Sequence, residues 1–273
     1  MTVADLDLAY SAEEIRAFVE DAVAREGTRR QPRFYAVTGS HVYGFDSPGS
    51  DIDVRGVHLV PAEEYAYLRT PAEEVTINMD GTTDGFEQYA DVDLRSYELR
   101  KFGSLLATAN YNVVELVFEA PTVMHGLPLE MDALQELVRD HLPMNVPHAY
   151  LGMAKSNYYK HLDPEKAQGY DPEPKTFLYV YRGLLGAQYV IDEEDVEADV
   201  RELAAAVDGG DPALVDDLIA HKREVDESSV PDALEKRARE AILRQFNALD
   251  PLPDPDKSGY REAIDDWMRK VRS

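Results

Sequence analysis

One stretch constrains this chain more than any other: Gly39-Ser40-His41-Val42-Tyr43-Gly44-Phe45-Asp46-Ser47-Pro48-Gly49-Ser50-Asp51-Ile52-Asp53-Val54-Arg55-Gly56-Val57. It follows an apolar run, Phe34 to Thr38, that reads as a short buried strand, and it ends in a second run, Ile52 to Val60, that reads as another. Between the runs lie Gly, Ser, Pro and Asp, the residues that turn and cap a chain. Residues two apart on a strand share a face, so Asp51 and Asp53 project together at the start of the second strand. Two close carboxylates repel unless something neutralises them. A divalent cation with oxygen ligands does so, and Mg²⁺ suits best because one or two carboxylates plus substrate phosphates complete its shell. Gly39 and Ser40, at the mouth of the turn, offer backbone N–H groups and a hydroxyl to such phosphates.

Taken together, a strand, Gly-Ser, a short turn and Asp-x-Asp on the next strand resemble the signature of nucleotidyltransferases of the DNA polymerase β superfamily. The resemblance implies an α+β fold, a small mixed sheet flanked by helices, followed here by an all-helical C-terminal part. Two-metal phosphoryl transfer then calls for a third carboxylate on an adjacent strand, with the cations roughly 3.5–4 Å apart. Asp91 and Asp93, on one face of a strand predicted over Phe86 to Leu94, are the candidates.

The residues that follow sharpen the resemblance. Asp93, then Ser96-Tyr97-Glu98-Leu99-Arg100-Lys101-Phe102, then Asn110-Tyr111-Asn112-Val113-Val114-Glu115-Leu116, are similar to the RNA-repair-pathway nucleotidyltransferases, polymerase-β-like proteins often paired with an RNA ligase. That family implies Asp93 as the third acid, with Asp91 the alternative. Its Asn-Pro-Asn reads Asn-Tyr-Asn here, with both Asn kept; Asn110 and Asn112 are open to helix capping or to a place near the nucleotide, and Glu115 reads as structural. Lys175, Tyr179 and Arg182 share one helix face and resemble the family helix whose Lys and Arg approach the triphosphate, although the His often found near the position of Tyr179 is absent. The resemblance spans residue 34 to about 190 and leaves the rest unassigned.

Going back to the start, Ser11-Ala12-Glu13-Glu14 has capping-box spacing and opens an amphipathic helix ending near Gly27. Pro61 starts a short helix, Glu74 to Met79 a strand, and Asp80-Gly81 marks a turn. Ser96 to Ala109 reads as a helix, Val113 to Phe118 as a short apolar element, and Leu127 to His141 as an amphipathic helix, with Pro143 and Pro147 punctuating the join that follows. From His148 onward strand signals vanish: helices are predicted over Ala149 to Leu162, Lys175 to Ile191, Asp195 to Val207, Pro212 to Glu224, Pro231 to Asn247 and Tyr260 to Val271. The expected organisation is a catalytic domain over 1–125 and a helical nucleotide- and substrate-binding domain over 126–273.

Composition matters mainly for what it does to the charge argument. Across 273 residues, 53 acidic against 28 basic side chains give a net charge of -25, the wrong sign for steering nucleotides. That charge fits either a protein that avoids nucleic acid or one adapted to high salt, where surface charge is screened; the acids are spread along the chain, Arg outnumbers Lys, and the composition looks haloarchaeal, which favours the second. There is no Cys, and no apolar run approaches the ~20 residues a membrane span needs. The acidic start, Met1 to Asp7, lacks the basic flank of a signal peptide, and a cytoplasmic location is expected. His41 reads as a local contact within the motif turn, the other His show no metal-ligand spacing, and neither a Walker A loop nor Gly-x-Ser-x-Gly occurs.

The expectation is a nucleotidyltransferase using Mg²⁺ or Mn²⁺ to move a nucleoside monophosphate from an NTP to an acceptor hydroxyl, an RNA end among the acceptors. Asp51, Asp53 and Asp93 would serve as metal and catalytic residues, and Gly39, Ser40, Lys175, Tyr179 and Arg182 would bind the nucleotide. The alternatives are a small-molecule enzyme of the aminoglycoside-modifying type and a non-catalytic nucleotide sensor or antitoxin-like protein.

Overall fold

The computed structural model describes residues 2–25, 29–68, 70–78, 86, 89, 91–118, 120–125, 131–167, 170, 172–225, 229–252, 254–255 and 259–272. Chain contacts divide it into two compact units. One comprises Met1–Val42, Gly49–Val138 and Ser258–Ser273; the other comprises Tyr43–Pro48 and Arg139–Lys257. The class is α+β, and among the described residues the strands lie in the first unit.

The sheet unit opens with α1 (Ala12–Arg25). Its capping box is made: Ser11 N donates to Glu14 Oε2 (2.8 Å) and Glu14 N to Ser11 Oγ (3.3 Å), pairing two amides the helix start would otherwise leave open. Ile15, Phe18, Val19, Ala22 and Val23 form the buried face, which packs on the sheet's β1 and β5 edge. Burying a side chain the size of Phe18 contributes about 1.5–3 kcal/mol. Five strands follow: β1 (Gln31–Thr38), β2 (Ile52–Leu59), β3 (Glu74–Ile77), β4 (Val92–Glu98) and β5 (Thr122–His125). Their order is β3-β4-β2-β1-β5, with β2 parallel to β4 and every other pair antiparallel.

Two sequence expectations need correcting here. The strand expected over Phe86 to Leu94 begins at Val92 and continues to Glu98, so Ser96-Tyr97-Glu98 belong to the sheet and the helix α2 starts at Leu99 (Leu99–Leu106). Pairing with β2 decides this, because Ser96, Tyr97 and Glu98 lie opposite Gly56, Val57 and His58. Glu98 then caps α2 through Oε2, which accepts from Arg100 N at 2.6 Å. Strand β5 carries no sequence signal of its own; four residues after Pro121 are held at the edge by β1. The Asp80-Gly81 turn lies outside the described residues.

Helices α3 (Tyr111–Phe118) and α4 (Met131–Arg139) follow, and α10 (Tyr260–Arg272) belongs to this unit although it ends the chain. Arg272 fastens it, donating to Glu98 Oε1 (2.5 Å) and to the Val60 carbonyl (2.9 Å). Glu98 is fully buried, so removing its cation would leave an uncompensated charge, a loss of roughly 3–5 kcal/mol.

The helical unit contains α5 (Leu142–Asn157), α6 (Pro174–Glu193), α7 (Val200–Ala206), α8 (Pro212–Val225) and α9 (Asp232–Ala248). Helix α5 begins before the prolines expected to break the chain. Pro143 sits in the first turn, where no N–H is needed, and Pro147 is carried inside the helix. A π-helical turn, Tyr158–Leu162, closes it. Among the described residues no helix is long and apolar enough to cross a membrane.

A buried polar chain fixes the registers of β1, β2 and β4. Tyr35 and Ser96 hydroxyls meet at 2.5 Å, and Ser96 Oγ lies 2.7 Å from His58 Nδ1. Gly56 makes room: a Cβ there would stand 2.3 Å from the Tyr35 ring. Burial pushes the His58 imidazole down to about 3, with the Arg30 charge adding to the effect, so it is neutral in the fold. The unfolded chain therefore binds an extra proton between about pH 6.5 and 3, and the stability that neutral His58 secures is full above 6.5 and lost as pH falls. His58→Gln should flatten the fall in unfolding free energy between pH 7 and 5 by about 2 kcal/mol, measured by urea denaturation at each pH. Equal slopes for the two proteins would contradict the buried neutral imidazole.

Candidate active site

Thr38 ends β1 opposite Asp53, and the chain turns at once through a 3₁₀ turn, Gly39–His41. Gly39 has φ +77°, and a Cβ on it would lie 2.1 Å from Asp53 Oδ2. Glycine is required twice over, for the left-handed backbone and for the close approach to the carboxylate. Ser40 follows, half-buried. His41 makes a local contact, its Nε2 3.3 Å from the Ser50 carbonyl.

Beside this turn, β2 and β4 run parallel with Asp53 opposite Asp93. Ile52 and Val54 face the core with Val92 and Leu94, so Asp53 and Asp93 share the other face, both half-buried. Asp51 is exposed, one step before β2 begins. Asp91, also exposed, precedes β4, where its carbonyl accepts from Ile52 N at 2.7 Å. The structure thus brings Gly39, Asp53 and Asp93 together.

Among the described residues no group of three His, Asp or Glu stands ready to hold a metal ion. The oxygen donors present are of the type a hard divalent cation takes. Asp53 and Asp93 lie opposite one another on β2 and β4, Asp51 stands one step before β2, and Mg²⁺ takes its remaining ligands from phosphate and water.

Arg55 is a residue that sequence reading did not single out. It lies on the Asp53 face of β2, and its Nη1 donates to Asn112 Oδ1 at 2.6 Å, tying α3 to the strand two residues after the carboxylate. The signal was available, since alternation through 51, 53 and 55 puts Arg55 on that face. Asn110 stands at the start of α3, its carbonyl accepting from Val113 and Val114, and Glu115 is buried.

In the helical unit, α6 carries Lys175, exposed, Tyr179, half-buried, and Arg182, only 1% exposed. The Arg182 guanidinium lies 3.7 Å over the Tyr43 ring, and Tyr179 meets Tyr43 and Phe45 edge-on at 6.1 and 5.2 Å. The spacing that aligned Lys175, Tyr179 and Arg182 in the sequence therefore runs from solvent into the core along one helix.

The turn, the opposed carboxylates and the mixed sheet define the class: a polymerase-β-like nucleotidyltransferase fold. The chain belongs to the RNA repair pathway DNA polymerase beta family, whose model matches residues 18–270. It is 28% identical over 229 residues to an uncharacterized protein, YcgL, of Bacillus subtilis (strain 168), covering 78% of this chain and 75% of that one. A crystal structure of a nucleotidyltransferase-like protein from Exiguobacterium sibiricum 255-15 aligns over 95% of this chain and 79% of its own, at 11% identity and a TM-score of 0.33.

Gly39→Ala should move the Asp53 carboxylate. A displacement near 1 Å at a reacting centre costs on the order of a hundredfold in rate, and that loss is expected in single-turnover nucleotidyl transfer. Wild-type rates in Gly39→Ala would show that the close approach does not matter.

Proposed function

We propose that the chain is a metal-dependent nucleotidyltransferase that moves a nucleoside monophosphate from an NTP to an acceptor hydroxyl and releases pyrophosphate. The observation that carries this is the opposition of Asp53 and Asp93 on parallel strands, with Gly39 turned against the Asp53 carboxylate. Membership of an RNA repair family supports an RNA end as the acceptor, and a functional link to an RNA ligase, over a small-molecule acceptor.

Asp51, Asp53 and Asp93 would hold Mg²⁺ or Mn²⁺. A bound cation of this kind neutralises charge on the transferring phosphoryl group and lowers the pKa of an attacking oxygen. The backbone amides and hydroxyl at Gly39 and Ser40 orient the phosphates, as amides at tight turns do for anions generally. Asp93, on the strand beside the Asp-x-Asp strand, faces the acceptor and receives its proton. Lys175, exposed at the start of α6, meets the triphosphate as a point charge. Tyr179 and Arg182 act on nucleotide binding through Tyr43, which both contact.

The test separates binding from chemistry. Asp51→Asn and Asp53→Asn should abolish transfer with the fold intact, because a neutral amide removes cation affinity while relieving repulsion. Asp93→Asn should keep the NTP Kd while its single-turnover rate collapses. Lys175→Ala should weaken NTP binding about tenfold with little loss of rate at saturation. Full activity in either Asp51→Asn or Asp53→Asn would overturn the proposal. A dead Asp91→Asn beside an active Asp93→Asn would move the third carboxylate by one pleat repeat.

A further inference from the structure

Strands β1 and β2 are antiparallel neighbours, with Thr38 already opposite Asp53. A hairpin of two to five residues would join them. The chain instead spends residues 39–51 on the connection, and its middle, Tyr43–Pro48, packs within the helical unit. Ordering so long a loop opposes folding by roughly 1–2 kcal/mol for each residue fixed, and the sheet has no use for it.

Tyr43 and Phe45 are buried against Tyr179 and Arg182 of α6, and the rest of the excursion is held by cations from helices that sequence reading left unassigned. Lys222 of α8, only 7% exposed, donates from Nζ to Ser47 Oγ at 2.9 Å. The next residue, Arg223, donates from Nε to the Asp46 carbonyl at 3.0 Å. Arg201 of α7 donates from Nη1 to the Gly44 carbonyl at 2.6 Å, and Val200 N to the Tyr43 carbonyl at 3.0 Å. Gly44 has φ +77°, and a Cβ there would stand 2.5 Å from the Asp199 carboxylate. These are polar, directional contacts, most of them to loop carbonyls, and they fix the path of the backbone from Tyr43 to Ser47. In a chain with 28 basic residues against 53 acidic, these three cations and Arg182 over the Tyr43 ring are a concentrated use of a scarce charge on one short segment.

We propose that Lys222, Arg223 and Arg201 are positioning residues for nucleotide binding: they strap Tyr43–Pro48 so that the Gly39-Ser40 turn presents its donors to the phosphates. This rests on the nucleotidyl-transfer reading of the turn. It gives α7 and α8 a part in the reaction without touching substrate. The bond from the largely buried Lys222 ammonium to the Ser47 hydroxyl is charge-assisted, and so stronger than a neutral one.

The test uses the full chain, with Lys222→Met and Ser47→Ala made singly and together. Binding of each Mg²⁺–NTP, pyrophosphate release, melting temperature and hydrogen–deuterium exchange across residues 39–51 are measured. Each single variant should raise the NTP Kd about tenfold and speed exchange across residues 39–51, and the double variant should be no worse than Lys222→Met alone. A merely structural lysine would lower the melting temperature while the two substitutions added in Kd, and that result overturns the inference. Unchanged Kd in both singles overturns it as well. If Lys222→Met does not fold, Ser47→Ala and the exposed Arg223→Gln decide on the same readouts. A wild type that binds NTP but transfers to no acceptor overturns the proposed function while the strap is still judged on Kd; one that binds no NTP overturns both.

Discussion

The parallel pairing of β2 with β4 is the interaction on which the candidate site depends. It fixes Asp53 opposite Asp93, and a slip of one residue would turn one of them into the core. Hydrogen bonding along the backbone does not choose between registers, so side chains must. They do so on the opposite face, where Tyr35, Ser96 and His58 form a buried hydrogen-bonded chain across β1, β4 and β2, three residues along from the carboxylate row. Such a network specifies through the links it makes, here Tyr35–Ser96–His58 Nδ1, and costs stability where a buried atom such as His58 Nε2 has no hydrogen-bond partner. The acidic face is thus held by polar groups buried on the other side of the sheet.

The same division recurs in the rest of the sheet unit. Glu98 lies at the end of the strand that carries Asp93, caps α2 with one oxygen and takes Arg272 with the other. Helix α10 is thereby attached to the strand that carries Asp93. Arg55 and Asn112 do for β2 and α3 what Glu98 and Arg272 do for β4 and α10.

Much of this was legible in the sequence, for local reasons. Gly39 and Asp53 stand at the facing ends of two apolar runs that form β1 and β2, and period-2 alternation puts Asp53 on the face away from Ile52 and Val54. The long helices announce themselves by period, and Ser11 with Glu14 marks a helix start that the structure contains. What could not be read depends on distant partners. Ser96-Tyr97-Glu98 suits a strand or a first helical turn until β2 is beside it. Strand β5 exists because β1 has an edge to pair. The return of α10 rests on an ion pair between residues 272 and 98, and the packing of Tyr43–Pro48 with the helical unit rests on Lys222, Arg223 and Arg201. Local pattern carries no information about such contacts.

The central claim is that the Asp53–Asp93 row holds a divalent cation together with a nucleotide. Mn²⁺ binding followed by electron paramagnetic resonance tests it most directly, with and without a non-hydrolysable NTP, in the wild type and in Asp53→Asn. The account predicts weak Mn²⁺ binding alone, marked tightening when the nucleotide is added, and loss of that tightening in Asp53→Asn. Equal Mn²⁺ binding by the two proteins in the presence of nucleotide would contradict it.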